Sequence, residues 1–451
     1  MPISLFDMRG GTMDKTVINE RDMVAQFKAN NLQGFYDFVE SYDRSVAASM
    51  RARGFKLMNQ AERTVLFTFG EVTYSRNRWY KNGVCEIPVD RKLGLDKNIR
   101  YSAELIYQIA DLAAVLPYRK VVDVIQMVYQ IYITKETVVK AIEQARKLLE
   151  EKEDYRYFEM AREDKIKADR IYIEGDGVFF NTSDTNRQRM EIAHFIIHTG
   201  KGKGPEGRLT LANKREVVEK SNYLAREKVL DILENEFEIT KETIFITNSD
   251  GGKGYTPYIF QELVKAFPHK AHYHFWDRYH VNRELAQMLS SGPKELYSQA
   301  MKALNTHSRK SMITTLDTYE SLIETESEQE RFESFKKRLL NNFQYTKTPE
   351  KHGLSDTVIG IMESQHRKLT FRMKHRGISW TEDGALTVAN LIILKDRGEL
   401  RDLFFGNWRE EYKKYKAMEG SAGNASDHSA RKYSMNVSTN KITAKFSKNR
   451  E

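Results

Sequence analysis

Asp176 sits inside the apolar run RIYIEGDGVFF (170–180), flanked by Gly175 and Gly177. Burying an unpaired carboxylate in such a strand costs on the order of several kcal/mol, so Asp176 must meet water, a base or a cation. Glu174, two residues earlier, shares its strand face, and spacing alone leaves either residue as a ligand. Asp250 ends the run ETIFITNS and opens the turn DGGKG; ligands of open mixed sheets gather beyond strand ends. DGGKG lacks the spacing and terminal Ser/Thr of a Walker loop, which argues against nucleotide hydrolysis. A third oxygen donor is Glu363 in GIMESQHRKLTFRMKHRG. On a helix it faces the same side as His366 and Arg367, at i+3 and i+4. Lys368, Arg372, Lys374, His375 and Arg376 follow. An acid ahead of so dense a basic run suits a metal site beside a nucleic-acid backbone: the metals need carboxylate, the phosphates need lysine and arginine.

The ligand types define the chemistry. Two hard cations about 3.5–4 Å apart can activate water or a 3′-hydroxyl and stabilise the leaving oxygen in displacement at phosphorus. Oxygen donors suit Mg²⁺ or Mn²⁺, two ions per site. A second cluster, Asp277-Arg278-Tyr279-His280, follows an apolar run; Asp277 and His280 could contact each other or orient a scissile phosphate. His272 and His274 on one strand face make zinc a competitor. Cys85 is the sole cysteine, which excludes an internal disulfide and every multi-cysteine zinc site.

These residues need a sheet to hold them. Runs at 170–180, 190–200, near 208–212, at 242–252 and at 269–277 read as strands, with helices at 221–235 and 256–266. That order gives a mixed sheet with helices on its faces and is compatible with a ribonuclease H-like core. From 281 to about 343 the pattern is helical and highly charged, and GALTVANLIILK is a late apolar helix. Upstream, a helix at 20–38 precedes a basic stretch at 51–56. The run 64–80 alternates as a strand or hairpin, presenting Arg76 and Arg78 among aromatics that could stack on bases. A helix at 119–129, a short turn and a second helix capped by Thr134 fit a helix-turn-helix, with Lys135 and Lys140 on the second helix facing DNA. The charge run at 145–168 is the tail of that helix.

The fold class is therefore α/β: a ribonuclease H-like mixed-sheet catalytic core with a helical insertion, preceded by a mainly helical DNA-binding region. The expected divisions are a helical N-terminal region (1–60), a small β-rich region (61–100) and a helical segment with the helix-turn-helix (101–168). The catalytic core (169–280), a helical insertion (281–350), the end of the core with the third acid (351–400) and a polar C-terminal tail (401–451) follow.

Composition agrees with a folded protein: 40% hydrophobic and 30% charged residues can build a core. A net charge of +9 favours a nucleic-acid partner only if it is clustered. No run approaches the roughly 18 apolar residues of a membrane span, and charges interrupt the first residues where a signal peptide would be apolar. The expected location is the bacterial cytoplasm, nucleoid-associated when bound to DNA.

At these residues the chain resembles transposases of the Asp-Asp-Glu superfamily, and most closely the Lre-type family of bacterial insertion sequences, often catalogued as an uncharacterised protein family. The resemblance runs through FTFGEVTYSRNRWY, IEGDG, SDGGKGY, FWDRYHVNREL and ESQHRKLTFRMKHRGISWTEDGA. It implies that Asp176, Asp250 and Glu363 are the three acids. Asp277 and His280 match the acid-or-cysteine, two residues, histidine pattern of the related Mutator-like transposases. It further implies cleavage of double-stranded DNA at element ends, strand transfer from a 3′-hydroxyl into target DNA, and a homo-oligomer that pairs two ends. A metal-dependent DNA nuclease or resolvase is the rival within enzymes. A non-enzymatic DNA-binding regulator is the rival outside them, and it leaves the three carboxylates unexplained.

Overall fold

The computed structural model describes residues 20–159, 165–184, 186, 188–204, 207, 209–374 and 376–421. Two compact units divide after Ala141, inside a helix.

The first unit begins with α1 (Glu20–Ala52), which outruns the expected end at 38. Its composition is polar, but Leu32, Phe35, Val39, Tyr42 and Met50 recur at helical spacing and pack on a β-hairpin. That hairpin is β1 (Lys56–Phe67) with β2 (Gly70–Lys81), extended by β3 (Val84–Glu86) into a three-stranded antiparallel sheet. Then come α2 (Pro88–Lys92), α3 (Ala103–Ala113), α4 (Tyr118–Tyr129) and α5 (Lys135–Glu159). Gln130, in the left-handed region with φ 53°, stops α4, and the Thr134 hydroxyl accepts from the Thr137 amide at the start of α5. Two helices joined by a short connection thus lie where the sequence placed them.

The second unit carries short β4 (Ile166–Lys167), then β5 (Arg170–Asn181) and β6 (Arg189–His198). A small ribbon of β7 (Lys201–Lys203) and β8 (Leu209–Leu211) follows, then β9 (Arg215–Glu219) and α6 (Asn222–Glu236). β10 (Phe237–Glu238), β11 (Ile244–Ser249), α7 (Pro257–Lys265) and β12 (Ala271–Trp276) complete the sheet region. The central five-stranded sheet runs β12-β11-β5-β6-β9. β12, β11 and β5 are mutually parallel; β6 is antiparallel to both β5 and β9. The third strand of this sheet is β9, not the expected run at 208–212, which forms the β7–β8 ribbon instead.

Four helices, α8 (Arg278–Met288), α9 (Lys294–Thr306), α10 (Arg309–Glu320) and α11 (Glu326–Asn341), close around Leu285, Leu304, Leu316, Tyr319, Phe332 and Leu339. This lobe interrupts the chain between β12 and α12 (Met362–Met373), which is followed by α13 (Glu382–Asp396). α14 (Leu400–Phe405) and α15 (Trp408–Ser421) occupy the beginning of the expected polar tail. Leu403, Phe404 and Trp408 are buried there, which is why those residues fold; 422–451 lie outside the described residues.

Alternation along β5 decides what each face does. Ile171 and Ile173 join Phe195, Ile197, Val217 and residues of α6 and α7 in one core. Tyr172 lies on the other face, against Ile246, Phe275 and Leu354. Gly175 belongs to the first set by parity, and the Phe195 ring fills its place: an added Cβ would come within 2.4 Å of the ring. Phe195 is itself held by Tyr255 and Phe260, so it has little room to yield. Gly175→Ala should lower unfolding free energy by about 1–3 kcal/mol, seen as a lower urea midpoint. An unchanged midpoint would mean that the Phe195 packing is not tight.

Candidate active site

Strand register gathers the acids. In the parallel pairs, Asn248 of β11 sits opposite Glu174 of β5, and Ser249 opposite Trp276 of β12. Asp176 lies two residues farther along β5, and Asp250 and Asp277 are the first residues past β11 and β12, where the Asp277 amide donates to the Ser249 carbonyl at 2.8 Å. His194 of β6 is the direct partner of Asp176 on the far side. The Asp250 loop is folded onto its own acid, with the Gly252 amide donating to Oδ1 at 2.7 Å.

Glu174 is the buried member of the group, with no exposed surface. Its Oε2 accepts from the amides of Gly360 and Ile361, each at 3.0 Å. These amides precede α12, so the carboxyl group holds that helix start against β5. Burial pushes Glu174 up to about 8 despite those amides, and the Asp277 charge adds to the rise. Its Oε1 is buried without a hydrogen-bond partner.

Asp176 is one step more open. Burial pushes its carboxyl up to about 7; the Asp250 charge adds to this, and the Gly177 amide bond to Oδ1 opposes it. Asp277 has two tasks. Its Oδ1 caps α8 by accepting the His280 amide at 3.1 Å, and it lies 3.3 Å from His280 Nδ1. Burial works against the Asp277 charge, but the His280 side chain and amide hold its pKa below the ordinary value. The same contact with Asp277 raises His280, helped by the negative charges of Asp176 and Asp250. The expected Asp277–His280 pair is thus formed.

His366, one turn into α12, faces this row. Its Nδ1 is 3.6 Å from Asp176 Oδ2, too long for a hydrogen bond. Burial lowers His366 to about 3, with the His194 charge next, so the ring is neutral. It stacks on His194 with centroids 5.1 Å apart. His194 Nε2 lies 2.8 Å from Glu216 Oε1. The Glu216 side chain has no exposed surface and is met by Lys214 at 3.0 Å and Lys368 at 2.8 Å. Burial opposes its charge; the His194 bond and the two lysines overcome this and hold Glu216 well below the usual carboxylate range. Lys368 also reaches Asp396 of α13 at 2.8 Å. Sequence reasoning missed the Lys214 and Glu216 part of this network because it took 208–212 as the third strand and left 214–219 outside the sheet. The β-branched pair Val217–Val218 was the available signal.

Other expected residues divide by helix face and partner. Glu363 lies exposed in the first turn of α12. Among the described residues, no three His, Cys, Asp or Glu side chains form a group able to hold a metal ion; Glu363 does not join Asp176 and Asp250 in this conformation. Arg367, Lys374 and Arg376 are exposed, as are Lys135 and Lys140 on α5; His375 lies outside the described residues. Three of the expected DNA-contact residues turn inward. Lys368 is tied to Glu216 and Asp396 as above. Arg372 is 2% exposed, with its guanidinium 5.1 Å from the Trp380 ring centroid. Arg76 bonds the buried Asp90 and the carbonyls of Ala61 and Glu62. Each sits on the inward side of its element, where its charge serves the fold. Arg78 is half-buried and donates to the Tyr80 hydroxyl. His272 and His274 both meet the Thr247 hydroxyl at 2.8 Å, which accounts for the pair as a structural feature.

The chain matches the uncharacterised protein family UPF0236 over residues 20–411, and it belongs to that family. A UPF0236 protein encoded in the vanSb 3′ region of Streptococcus gallolyticus is 27% identical over 372 residues, spanning 82% of this chain and 80% of that one. A UPF0236 protein of Caldanaerobacter subterraneus is 26% identical over 282 residues, covering 61% of this chain and 52% of its own length. Among solved structures, a Drosophila P element transposase strand transfer complex aligns over 74% of this chain and 90% of that one. At 9% identity and a TM-score of 0.24, this likeness carries no argument.

Two expectations test this site. Asp176 and Glu174 have folded-state pKa values above their ordinary ones, so folding favours their protonated forms. Their stabilisation is complete below about pH 4 and is lost as pH rises through about 7 and 8. In metal-free buffer, urea midpoints should therefore fall less steeply between pH 4 and 8 for Asp176→Asn than for the unaltered protein; parallel curves would refute a buried, titrating Asp176. Separately, Lys368→Ala should cost about 2 kcal/mol by stripping a cation from buried Glu216. Arg367→Ala, exposed one residue earlier, should stay within about 0.5 kcal/mol. Equal losses would show that the two side chains do not divide between fold and surface.

Proposed function

We propose that this protein is a divalent-metal-dependent DNA transposase that cuts element ends and joins the freed 3′-hydroxyl to target DNA. One observation carries the proposal: Asp176 on β5, Asp250 just past β11 and Asp277 just past β12 gather where the pairing of three neighbouring parallel strands ends, with Asp176 pushed up to about 7 by burial and by Asp250. Like charges brought together in a half-dry place are a site for a cation. Numbering the central strands in chain order gives 3-2-1-4-5 with the second antiparallel, and that order supports a ribonuclease H-like core.

Asp176 and Asp250 would hold the ions, with Glu363 completing the ligand set from the start of α12. The donors are all oxygen, which fits Mg²⁺ or Mn²⁺. When bound, such ions supply Lewis acidity to the attacking and leaving oxygens. In the first step a water oxygen bonds to phosphorus and the bond to the 3′ oxygen breaks; in the second the 3′-hydroxyl attacks a target phosphodiester and displaces its 3′ oxygen. Asp277 and His280 would orient the scissile phosphate, the raised pKa of His280 keeping a proton available for a phosphate oxygen. Arg367, Lys374 and Arg376 would neutralise the backbone, and Lys135 and Lys140 would follow the element end from the second helix of the helix-turn-helix. Pairing of two ends requires a homo-oligomer on DNA.

The test is Mg²⁺-dependent strand transfer on labelled double-stranded DNA carrying the element end, with Asp250→Ala in parallel. Joined products that vanish in the variant while end binding persists are the expected result. Cleavage without joining would indicate a metal-dependent nuclease or resolvase. Binding without chemistry in either protein, beside an active control, would indicate a DNA-binding regulator.

A further inference from the structure

We propose that the exposed face of α12 beyond Glu363 is a subsite for an unpaired nucleotide, with Phe371 stacking on its base and Arg367, Lys374 and Arg376 holding the adjoining phosphates. This rests on the reading of the protein as a DNA-processing enzyme and names the state of the DNA that it grips.

The geometry is that of a single helix. Residues 363, 367, 371 and 374 fall at steps of four, four and three, so Glu363, Arg367, Phe371 and Lys374 share one stripe. All are exposed, whereas Met362, His366, Leu369 and Met373 are buried on another side. Phe371 is 64% exposed. A large apolar ring left out of a core forgoes roughly 2 kcal/mol of burial. One exposed ring would mean little alone, but this one stands among three exposed cations. The Arg376 guanidinium lies 5.0 Å from its centroid, and the ring remains largely open all the same. Cations flanking an aromatic platform are what a single strand binds: phosphates meet the charges and a base meets the ring.

The ring selects against intact duplex. Bases inside a duplex show their edges, and a π-face becomes available only when a nucleotide leaves the stack. Distance then sets the position. Eight helical residues separate Glu363 from Phe371, or about 12 Å at a rise of 1.5 Å per residue. At about 3.4 Å per nucleotide of strand, the stacked base lies some three or four nucleotides from a phosphate level with Glu363. A protein partner is disfavoured by the charge, since the exposed groups around the ring are cationic.

The experiment measures equilibrium binding by the full chain, in Ca²⁺ to prevent cleavage, to a duplex of about 24 base pairs. The duplex is either blunt or carries about four unpaired nucleotides at the 3′ or the 5′ end. The unaltered protein should prefer one overhang form. Phe371→Ala should weaken that complex by about tenfold, leaving blunt-duplex affinity and the thermal midpoint within error, and Phe371→Trp should restore the preference. A 5-iodouracil placed in the overhang should cross-link to the peptide containing Phe371, with the strongest yield at the third or fourth position from the cleavage point. Equal affinity of Phe371→Ala and unaltered protein for the overhang form would overturn the subsite while leaving the transposase reading intact. An equal loss on blunt and overhang DNA would do the same. Failure of the unaltered protein to bind any DNA form would overturn both.

Discussion

The hydrogen bonds from Gly360 and Ile361 to Glu174 tie the first residues of α12 to the middle of the central sheet. An acid with no exposed surface is a costly tie, and its rise to about 8 measures that cost. The position of everything on α12 depends on it. His366 faces Asp176, Lys368 reaches Glu216, and the exposed stripe begins at Glu363 because the helix starts where Glu174 holds it. The helix N-terminus is also the one place where free amides favour a nearby carboxyl group.

Charge balance differs on the two sides of Asp176. Towards β9, Glu216 is matched by Lys214 and Lys368 and by the ring of His194, so it stays ionised although buried. Towards β11 and β12, Asp176 feels the charges of Asp250 and Asp277, and His280, its pKa raised by Asp277, stands beside that acid. His194 and His366, both held below the ordinary imidazole pKa chiefly by burial, stand between the two regions. A balanced network on one side and an acidic excess on the other is an arrangement in which the first braces the second.

Much of the central sheet was legible because buried strands are short continuous apolar runs, as in 170–180 and 244–249. Its third strand was not. RLTL and REVVE are both short segments with two apolar residues, and only the pairing of β9 with β6 distinguishes them. Parallel register is equally silent in a sequence: Asp277 stands level with Asp250 through pairing across separate segments. The basic run after Glu363 showed how many cations there were, but not their faces. Lys368 and Arg372 turned inward to Glu216 and Trp380, while Arg367 and Arg376 remained outside. Arg76 was misjudged for the same reason, since the buried Asp90 that claims it follows in a different element.

Burial that makes the acids costly also decides how a bound ion would act. At a site open to water, a carboxylate–cation contact is screened and worth little; the interaction grows as the surroundings exclude solvent. Asp176 is neither fully buried, like Glu174, nor exposed, like Glu363, so it can be reached by solvent and yet retains a raised pKa. A cation held there would favour the ionised form of a carboxyl whose pKa burial has raised, so its binding would be coupled to proton release. The interior acids thus set the location of the site, and the outer helix face sets what can approach it.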